Sequence, residues 1–150
     1  MIKIAITGHR PERIKGQEKR IKEWVREQLN EFRDLDPMFI CGMAQGVDQI
    51  AGINAVGMGI PLSCYFAYKH DLHPVEQILV DCAVEVRYVS EEYQKNVFLT
   101  RDRRMVDDCD VLLVVWDGIK SGGTYYTYQY ALEKGKEIRI LRLDNENSYT

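Results

Sequence analysis

The segment Val111-Leu112-Leu113-Val114-Val115-Trp116 decides the fold, because it is a continuous apolar run without a single polar residue. A strand buried on only one face alternates apolar and polar residues, so an unbroken run predicts a strand covered on both faces. Such strands are typical of parallel sheets that have helices on both sides. Outward from this segment, strand-like and helix-like patterns alternate along the whole sequence.

Short runs of apolar and β-branched residues predict the strands, and longer segments with apolar residues at helical spacing predict the helices. The predicted strands are residues 2–7, 38–41, 62–67, 85–90, 111–116 and 137–143, and the predicted helices are 16–32, 47–58, 73–83, 93–109 and 124–133. This order predicts an α/β fold, a Rossmann-like, doubly wound and mainly parallel sheet flanked by helices. We expect a single domain over residues 1–143 and a polar, frayed tail over residues 144–150.

Composition and charge narrow the class of protein. The 150 residues are 45% hydrophobic and 29% charged, with a formal net charge of −3. This acidic balance predicts that nucleic acid is an unlikely partner, since non-specific nucleic-acid binding needs a basic face. No apolar run approaches the roughly 18 residues of a membrane span, and no signal-peptide pattern opens the sequence. We therefore expect no membrane association and a cytoplasmic protein, whose scattered Cys41, Cys64, Cys82 and Cys109 stay free thiols.

Three glycine-bearing turns follow predicted strands and lead towards helices, at the edge where open parallel sheets bind ligands. They are Gly8-His9-Arg10-Pro11, Gly42-Met43-Ala44-Gln45-Gly46-Val47-Asp48, and Gly118 through Ser121-Gly122-Gly123-Thr124. Glycines let the backbone approach a ligand closely, and the N–H groups of a helix N-terminus suit phosphate oxygens. The turns predict an anion or nucleotide site, although tight turns also occur in α/β proteins for purely structural reasons.

Several familiar motifs are missing from the sequence. It has no G-x-G-x-x-G after the first strand, no G-x-x-x-x-G-K-[ST] and no G-x-S-x-G. These absences disfavour a dinucleotide-dependent dehydrogenase, a P-loop NTPase and a serine hydrolase of the nucleophile-elbow type. His70 and His73 have the spacing of a metal pair, but no third ligand is evident, so we predict neither a metal nor a cofactor.

In combination these motifs resemble the SLOG superfamily, named for the Smf/DprA DNA-processing proteins and the Lonely Guy enzymes, and within it the YpsA-like branch. The match also includes Gly59-Ile60-Pro61-Leu62, Arg101 with Met105-Val106-Asp107, and Val115-Trp116-Asp117-Gly118. The resemblance implies a Rossmann-like fold, a nucleotide-type ligand in the glycine-lined cleft and a homodimer. Some members are phosphoribohydrolases that act on nucleoside 5′-monophosphates, others bind DNA, and many are thought to sense nucleotides.

The sequence departs from the hydrolases of this superfamily at two places. Their phosphate loop continues to a catalytic Glu, where this chain has Thr127, and a hydroxyl cannot supply that carboxylate. After the third strand, Phe66-Ala67-Tyr68-Lys69-His70-Asp71 replaces the Gln-Glu and Trp usual in the YpsA-like branch, so the resemblance assigns no base-binding residue there.

The sequence therefore predicts a nucleotide- or nucleotide-derivative-binding protein that acts as a sensor or regulator. One alternative is an N-glycosidase that hydrolyses a base–ribose bond; another is a division-linked or phage-encoded interaction protein with a vestigial pocket. We predict no catalytic residue, and expect Arg101 to hold the ligand phosphate with little role in stability. Tyr125 or Tyr126 could stack on a base. The predicted ligand-binding residues are Gly8, His9, Arg10, Gly42, Met43, Ala44, Gly46, Asp48, Arg101, Asp117, Gly118, Gly122, Gly123 and Thr124.

Overall fold

The computed structural model describes residues 1–145, in which six strands alternate with five α-helices. The strands are β1 (Ile2–Thr7), β2 (Pro37–Cys41), β3 (Leu62–Tyr68), β4 (Glu85–Ser90), β5 (Val111–Trp116) and β6 (Glu137–Arg142). The helices are α1 (Glu18–Glu31), α2 (Val47–Gly57), α3 (Pro74–Cys82), α4 (Val97–Asp108) and α5 (Gly123–Glu133). A 3-10 turn at Pro11–Arg13 follows β1. The frayed tail predicted for residues 144–150 lies mostly outside the described residues, since these end at Asn145.

All the strand pairs in the sheet are parallel, and the strand order is β4-β3-β2-β1-β5-β6. The order runs outward in one direction from β1 to β4, and in the other direction from β1 through β5 to β6. This reversal beside β1 is the switch point at which open α/β sheets leave a crevice for ligands. The predicted Rossmann-like α/β fold is therefore confirmed, with a sheet that is wholly rather than mainly parallel.

Two apolar layers cover the sheet, one on each face. On one face Ile4, Phe39 and Leu113 pack against residues of α1, α2 and α3. On the other face Ala5, Ile40 and Leu112 pack against residues of α4 and α5. Every residue of β5 is buried, as the unbroken apolar run predicts.

The predicted boundaries are close to the observed ones, with one clear exception. Strands β4 and β5 have the predicted limits, whereas α4 begins at Val97 rather than at residue 93. The reason is Asn96, whose φ of +65° lies in the left-handed region and interrupts a right-handed helix. The prediction of a helix over 93–96 is therefore wrong.

The loops after β1 and β2 touch each other, and two glycines make this approach possible. A Cβ on Gly8 would lie 2.5 Å from Val47, and a Cβ on Gly46 would collide with the carbonyl oxygen of His9. Gly46 also has a φ of +97°, which L side chains rarely adopt. These glycines therefore serve the packing of one loop on the other, which sets the shape of the cleft beside them.

All four cysteines are free thiols. Cys41, Cys64 and Cys109 are buried and Cys82 is exposed.

Among residues 1–145, no helix has both the length and the apolar character needed to cross a bilayer.

Candidate ligand-binding cleft

A cavity of about 260 Å³ opens at the carboxyl ends of β1 and β2, beside the N-terminus of α5. It lies at the point where the strand order reverses, as expected for an open parallel sheet. Its polar lining comes from the loop after β1, the start of α2, helix α4 and the start of α5: His9, Arg10, Glu12, Arg13, Asp48, Arg101, Asp102 and Thr124.

The N-terminus of α5 presents free backbone donors to this cavity. Its N-cap residue, Gly122, makes no side-chain cap, and the first turn contains no acidic residue. At Gly123 the nearest atom to an added Cβ would be an Asp102 carboxylate oxygen at 3.9 Å, so the backbone is open to an incoming group. Uncapped amides with the positive end of the helix dipole favour a negatively charged ligand here.

Arg10 is the most available cation of the cleft. It is exposed and lines the cavity, and no carboxylate within residues 1–145 forms an ion pair with it. Arginine suits phosphate because its planar guanidinium can donate two parallel hydrogen bonds.

Arg101 is buried and largely occupied by contacts within the protein. Its Nε donates to Asp102 at 2.9 Å, and its Nη1 donates to the carbonyl oxygen of Gly42 at 2.6 Å. Burial acts to lower the pKa of Arg101, but the carboxylates of Asp102 and Asp48 outweigh it and raise the pKa above its usual value. Nη2 makes no hydrogen bond to a described residue, so Arg101 keeps the N–H groups of this nitrogen for a ligand.

Asp48 is a buried carboxyl in the wall of the cavity. It accepts a hydrogen bond from the backbone N–H of Ala44 at 3.3 Å, so it braces the loop before α2. Burial raises its pKa to about 7, although the nearby Arg101 guanidinium acts in the opposite direction. Near neutral pH this carboxyl is therefore divided between its protonated and ionised forms, unlike an ordinary aspartate.

His9 and Asp117 form a structural group together with Arg13. Arg13 donates Nε and Nη2 to the two oxygens of Asp117, each at 2.8 Å. Burial lowers the pKa of His9, so the ring is neutral, and its Nε2 accepts from the backbone N–H of Asp117 at 3.1 Å. Because the ring is neutral, the 3.3 Å contact between its Nε2 and a carboxylate oxygen of Asp117 is not an ion pair.

Asp117 therefore holds the loops together rather than facing the ligand. Partial burial acts to raise its pKa, but hydrogen bonds from the N–H of Ile119 and from Arg13 lower it below the usual value. Its carboxylate is outside the lining of the cavity.

Thr127 lies one turn into α5, where the related hydrolases have their Glu. Its hydroxyl donates to the carbonyl oxygen of Gly123 at 2.7 Å, and the carboxylate of Asp102 lies 3.4 Å away. A hydroxyl has one proton to donate, so the shorter bond is the one formed. Thr127 is buried and bonded to its own helix.

A second cavity, of about 410 Å³, adjoins the first on the side of β3. Arg10, Ala44, Phe98 and Arg101 line both cavities. The second cavity is bounded further by the loop after β2 and by the end of β3, with Met43, Gln45, Tyr68 and His70 among its residues. The two volumes form one cleft, with Arg10 and Arg101 where they adjoin.

The structure brings most of the predicted ligand-binding residues to this cleft and leaves a few outside it. Those that line it are Gly8, His9, Arg10, Gly42, Met43, Ala44, Asp48, Arg101, Gly123 and Thr124. Those that do not line it are Gly46, Asp117, Gly118 and Gly122. Gly118 packs instead on the side chains of Arg142 and Asp144.

The predicted ligand-binding residues omit several residues that line the cleft, among them Arg13, Phe98 and Asp102 in the first cavity and Tyr68 and His70 in the second. Arg13 follows the first turn within five residues, and Asp102 is adjacent to Arg101, so proximity in sequence was an available signal. Phe98 gave none, because a phenylalanine at the start of a helix is ordinarily read as part of the core.

Comparisons with known proteins identify a family and several solved structures that share the fold. The model of the family described as DNA recombination-mediator protein A matches residues 2–149. Among curated protein sequences none matches significantly. The match to this family confirms the predicted resemblance to the Smf/DprA type of superfamily, while the YpsA-like branch stays a prediction.

Solved structures share the fold at low sequence identity. DNA processing protein A from Streptococcus pneumoniae has a TM-score of 0.73 and 20% identity over 93% of this chain. This chain spans about half of it, since 50% of that protein is covered. The Helicobacter pylori protein, whose structure concerns a single-stranded DNA binding mode, has a TM-score of 0.70 and 21% identity, covering 96% of this chain and 67% of that one. The molybdenum cofactor carrier protein from Chlamydomonas reinhardtii has a TM-score of 0.61 and 15% identity, covering 93% and 75%.

The prediction that nucleic acid is an unlikely partner is wrong. It is contradicted by the match to this family together with the single-stranded DNA binding of the H. pylori protein. The physical reason is that net charge describes the whole surface, whereas binding depends on the local distribution of charge. The predicted homodimer is not tested by a single chain.

Proposed function

The chain belongs to the family of DNA recombination-mediator protein A, and from this premise we propose that its cleft binds the phosphate of a nucleotide or nucleotide derivative. In this proposal the protein is a binder that senses or regulates, without hydrolysing its ligand. The observation that supports it most is Arg10, a cation with no ion-pair partner within residues 1–145, in the same cavity as the uncapped N-terminus of α5.

The phosphate would lie between Arg10 and the first-turn amides of α5. The side chain of Thr124 lines the same cavity and adds a hydroxyl donor, and Nη2 of Arg101 adds one charged donor. In this proposal Arg10, rather than Arg101 as the sequence predicts, is the main cation that binds the phosphate. Two of the three guanidinium nitrogens of Arg101 already donate hydrogen bonds within the protein.

The residue at position 127 supports the proposal that the protein does not hydrolyse its ligand. The Thr127 hydroxyl donates to the carbonyl of Gly123 and has no acid–base capacity near neutral pH. The alternative function, an N-glycosidase, would need another carboxylate, and Asp48 and Asp102 line the cavity. The burial-raised pKa of about 7 makes Asp48 the first candidate for such a role.

A second candidate function is the binding of single-stranded nucleic acid. It is favoured by the single-stranded DNA binding mode of the H. pylori neighbour and by the two adjoining cavities, which leave room for more than one nucleotide unit. A strand presents the same phosphate chemistry as a free nucleotide, so both candidates place a phosphate beside Arg10.

The test is a titration of nucleoside 5′-monophosphates and the matching nucleosides by calorimetry. We expect Arg10→Ala to weaken nucleotide binding about 10- to 100-fold, the loss of a charge-assisted hydrogen bond. Arg26→Ala is the matched control, because Arg26 is exposed on α1, away from the cleft, and its loss changes net charge equally. Equal affinity for nucleoside and nucleotide, or an equal effect of both substitutions, would refute the proposal.

Hydrolysis is tested on the same ligands by following free base with chromatography. No release is expected from the unmodified protein. Release that is lost in Asp48→Asn or Asp102→Asn would establish the N-glycosidase instead.

A further inference from the structure

Four rings form a continuous aromatic surface beside the second cavity, which we call the aromatic shelf: Tyr68, His70, Tyr93 and Phe98. Tyr68 stands at the centre, with ring centroids 5.3 Å from His70, 5.6 Å from Tyr93 and 6.0 Å from Phe98. Tyr93 and Phe98 also contact each other, at 6.4 Å. The shelf joins the end of β3 to the start of α4.

The shelf is unusually open for an aromatic cluster. Tyr93 is 63% exposed and Phe98 is 39% exposed. Aromatic side chains ordinarily bury most of their surface, so a cluster left open to solvent marks a site of recognition. The core of the protein does not need these rings, because the two apolar layers of the sheet are formed without Tyr93 and Phe98.

The surroundings of the shelf are polar and carry both signs of charge, since Arg10, Arg101, Asp71 and Glu76 line the same cavity. The Arg101 guanidinium lies 5.6 Å from the ring centroid of Phe98, so a cation stands at the edge of the shelf. Across the cavity are Gln45 and Gln49, and the side-chain oxygen of Gln49 accepts no hydrogen bond from a described residue. A concave site with aromatic rings, a guanidinium beside them and an amide oxygen among its other polar groups suits a flat heteroaromatic ring better than an apolar side chain.

We infer that the aromatic shelf is a stacking site for a nucleobase, with Phe98 against the face of the base and Tyr68, whose ring is inclined by 71° to that of Phe98, at its edge. This inference rests on the proposed function: the phosphate lies in the first cavity, beside Arg10, and the base extends into the second. Phe98 lines both cavities and so stands where the ribose-linked base would cross from one to the other. Stacking is tolerant of base identity, so the shelf provides affinity, and the glutamines provide the hydrogen bonds that distinguish bases.

The experiment compares ribose, ribose 5-phosphate, adenosine 5′-monophosphate and a dinucleotide of adenosine on the full chain. We expect the monophosphate to bind more tightly than ribose 5-phosphate, and Phe98→Leu to reduce its affinity about 5- to 100-fold. The same substitution should weaken ribose 5-phosphate binding much less, and Tyr93→Ala should leave it within about twofold, because Tyr93 lines neither cavity. Phe98→Tyr should restore binding.

Tyr126→Ala is the matched control, since Tyr126 is 56% exposed on α5 and lines neither cavity of the cleft. A second shelf variant, Tyr93→Ala, removes a ring that is mostly in solvent and so has little effect on folding. Its loss of affinity should again be confined to ligands that carry a base.

The outcomes separate this inference from the proposed function. If ribose 5-phosphate binds through Arg10 but the base adds no affinity, or Phe98→Leu weakens both ligands equally, the shelf is refuted and the phosphate site stands. If ribose 5-phosphate binds no better than ribose, the proposed function fails, and the inference fails with it. If the dinucleotide binds more tightly than the monophosphate and this difference depends on Phe98, the shelf binds a base of a strand. If the two ligands bind with equal affinity, the shelf binds the base of a free nucleotide.

Discussion

Arg101 donates its Nη1 to the backbone carbonyl oxygen of Gly42 at 2.6 Å, across 59 residues of sequence. This bond ties α4 to the loop after β2, and the Nε bond to Asp102 fixes the same guanidinium from the other side. An arginine held in this way is a structural residue as much as a ligand contact, contrary to the expectation that it has little role in stability.

Arg101→Ala should therefore destabilise the fold by about 1.5–3 kcal/mol, since it leaves buried hydrogen-bonding groups without their charged partner. Arg104→Ala, an exposed arginine on the same helix, should change stability by no more than about 0.5 kcal/mol. Urea denaturation of the two variants measures the difference. Equal midpoints would mean that the Gly42 and Asp102 bonds contribute nothing.

Asp48 makes stability depend on pH. Its pKa is raised to about 7 in the folded protein from an ordinary value near 3.8, so between these limits the folded state binds more protons than the unfolded state. Stability contributed by the protonated carboxyl is full below pH 4 and is lost as the pH rises towards 7. Asp48→Asn, which keeps the acceptor for Ala44, should gain in melting temperature relative to the unmodified protein at pH 8 but not at pH 4. A gain that is the same at both pH values would show that Asp48 does not titrate in this range.

Asp48 should also link ligand binding to proton uptake. An anion placed beside it favours the protonated form, so affinity should rise as the pH falls from 8 to 6, by at most about tenfold per pH unit for one proton. A dinucleotide is the ligand to use, because its phosphodiester does not itself titrate in this range. Calorimetry in buffers of different ionisation enthalpy counts the protons taken up. Asp48→Asn should flatten the profile, and a profile unchanged by this substitution would assign the proton to another group.

Gly46→Ala tests the contact between the two loops that shape the cleft. The substitution should cost about 1–3 kcal/mol or more, since it combines a φ of +97° with a collision against the carbonyl of His9. Gly57→Ala is the matched control at the end of α2, where an added Cβ meets nothing within 4 Å, and it should be neutral or stabilising by up to about 1 kcal/mol. Thermal denaturation distinguishes the two, and similar melting temperatures would contradict the close approach of the loops.

The sequence by itself determined the succession of strands and helices along the chain, and it indicated the edge of the sheet at which a ligand is expected. Patterns such as the apolar run at 111–116 are local, because periodicity reports only which faces of one segment are buried. The glycine turns were found for the same reason, and ten of the fourteen predicted contacts line the cleft.

Only the tertiary structure decided which charges remain available and which rings meet. Arg13 and Asp117 pair across 104 residues, which removes Asp117 from the ligand. Arg10, three residues earlier, finds no such partner within residues 1–145. Tyr68 and Phe98 come from different elements and form one surface only because the end of β3 lies beside the start of α4. A side chain's partners depend on distances between remote segments, and no pattern within a single segment encodes those distances.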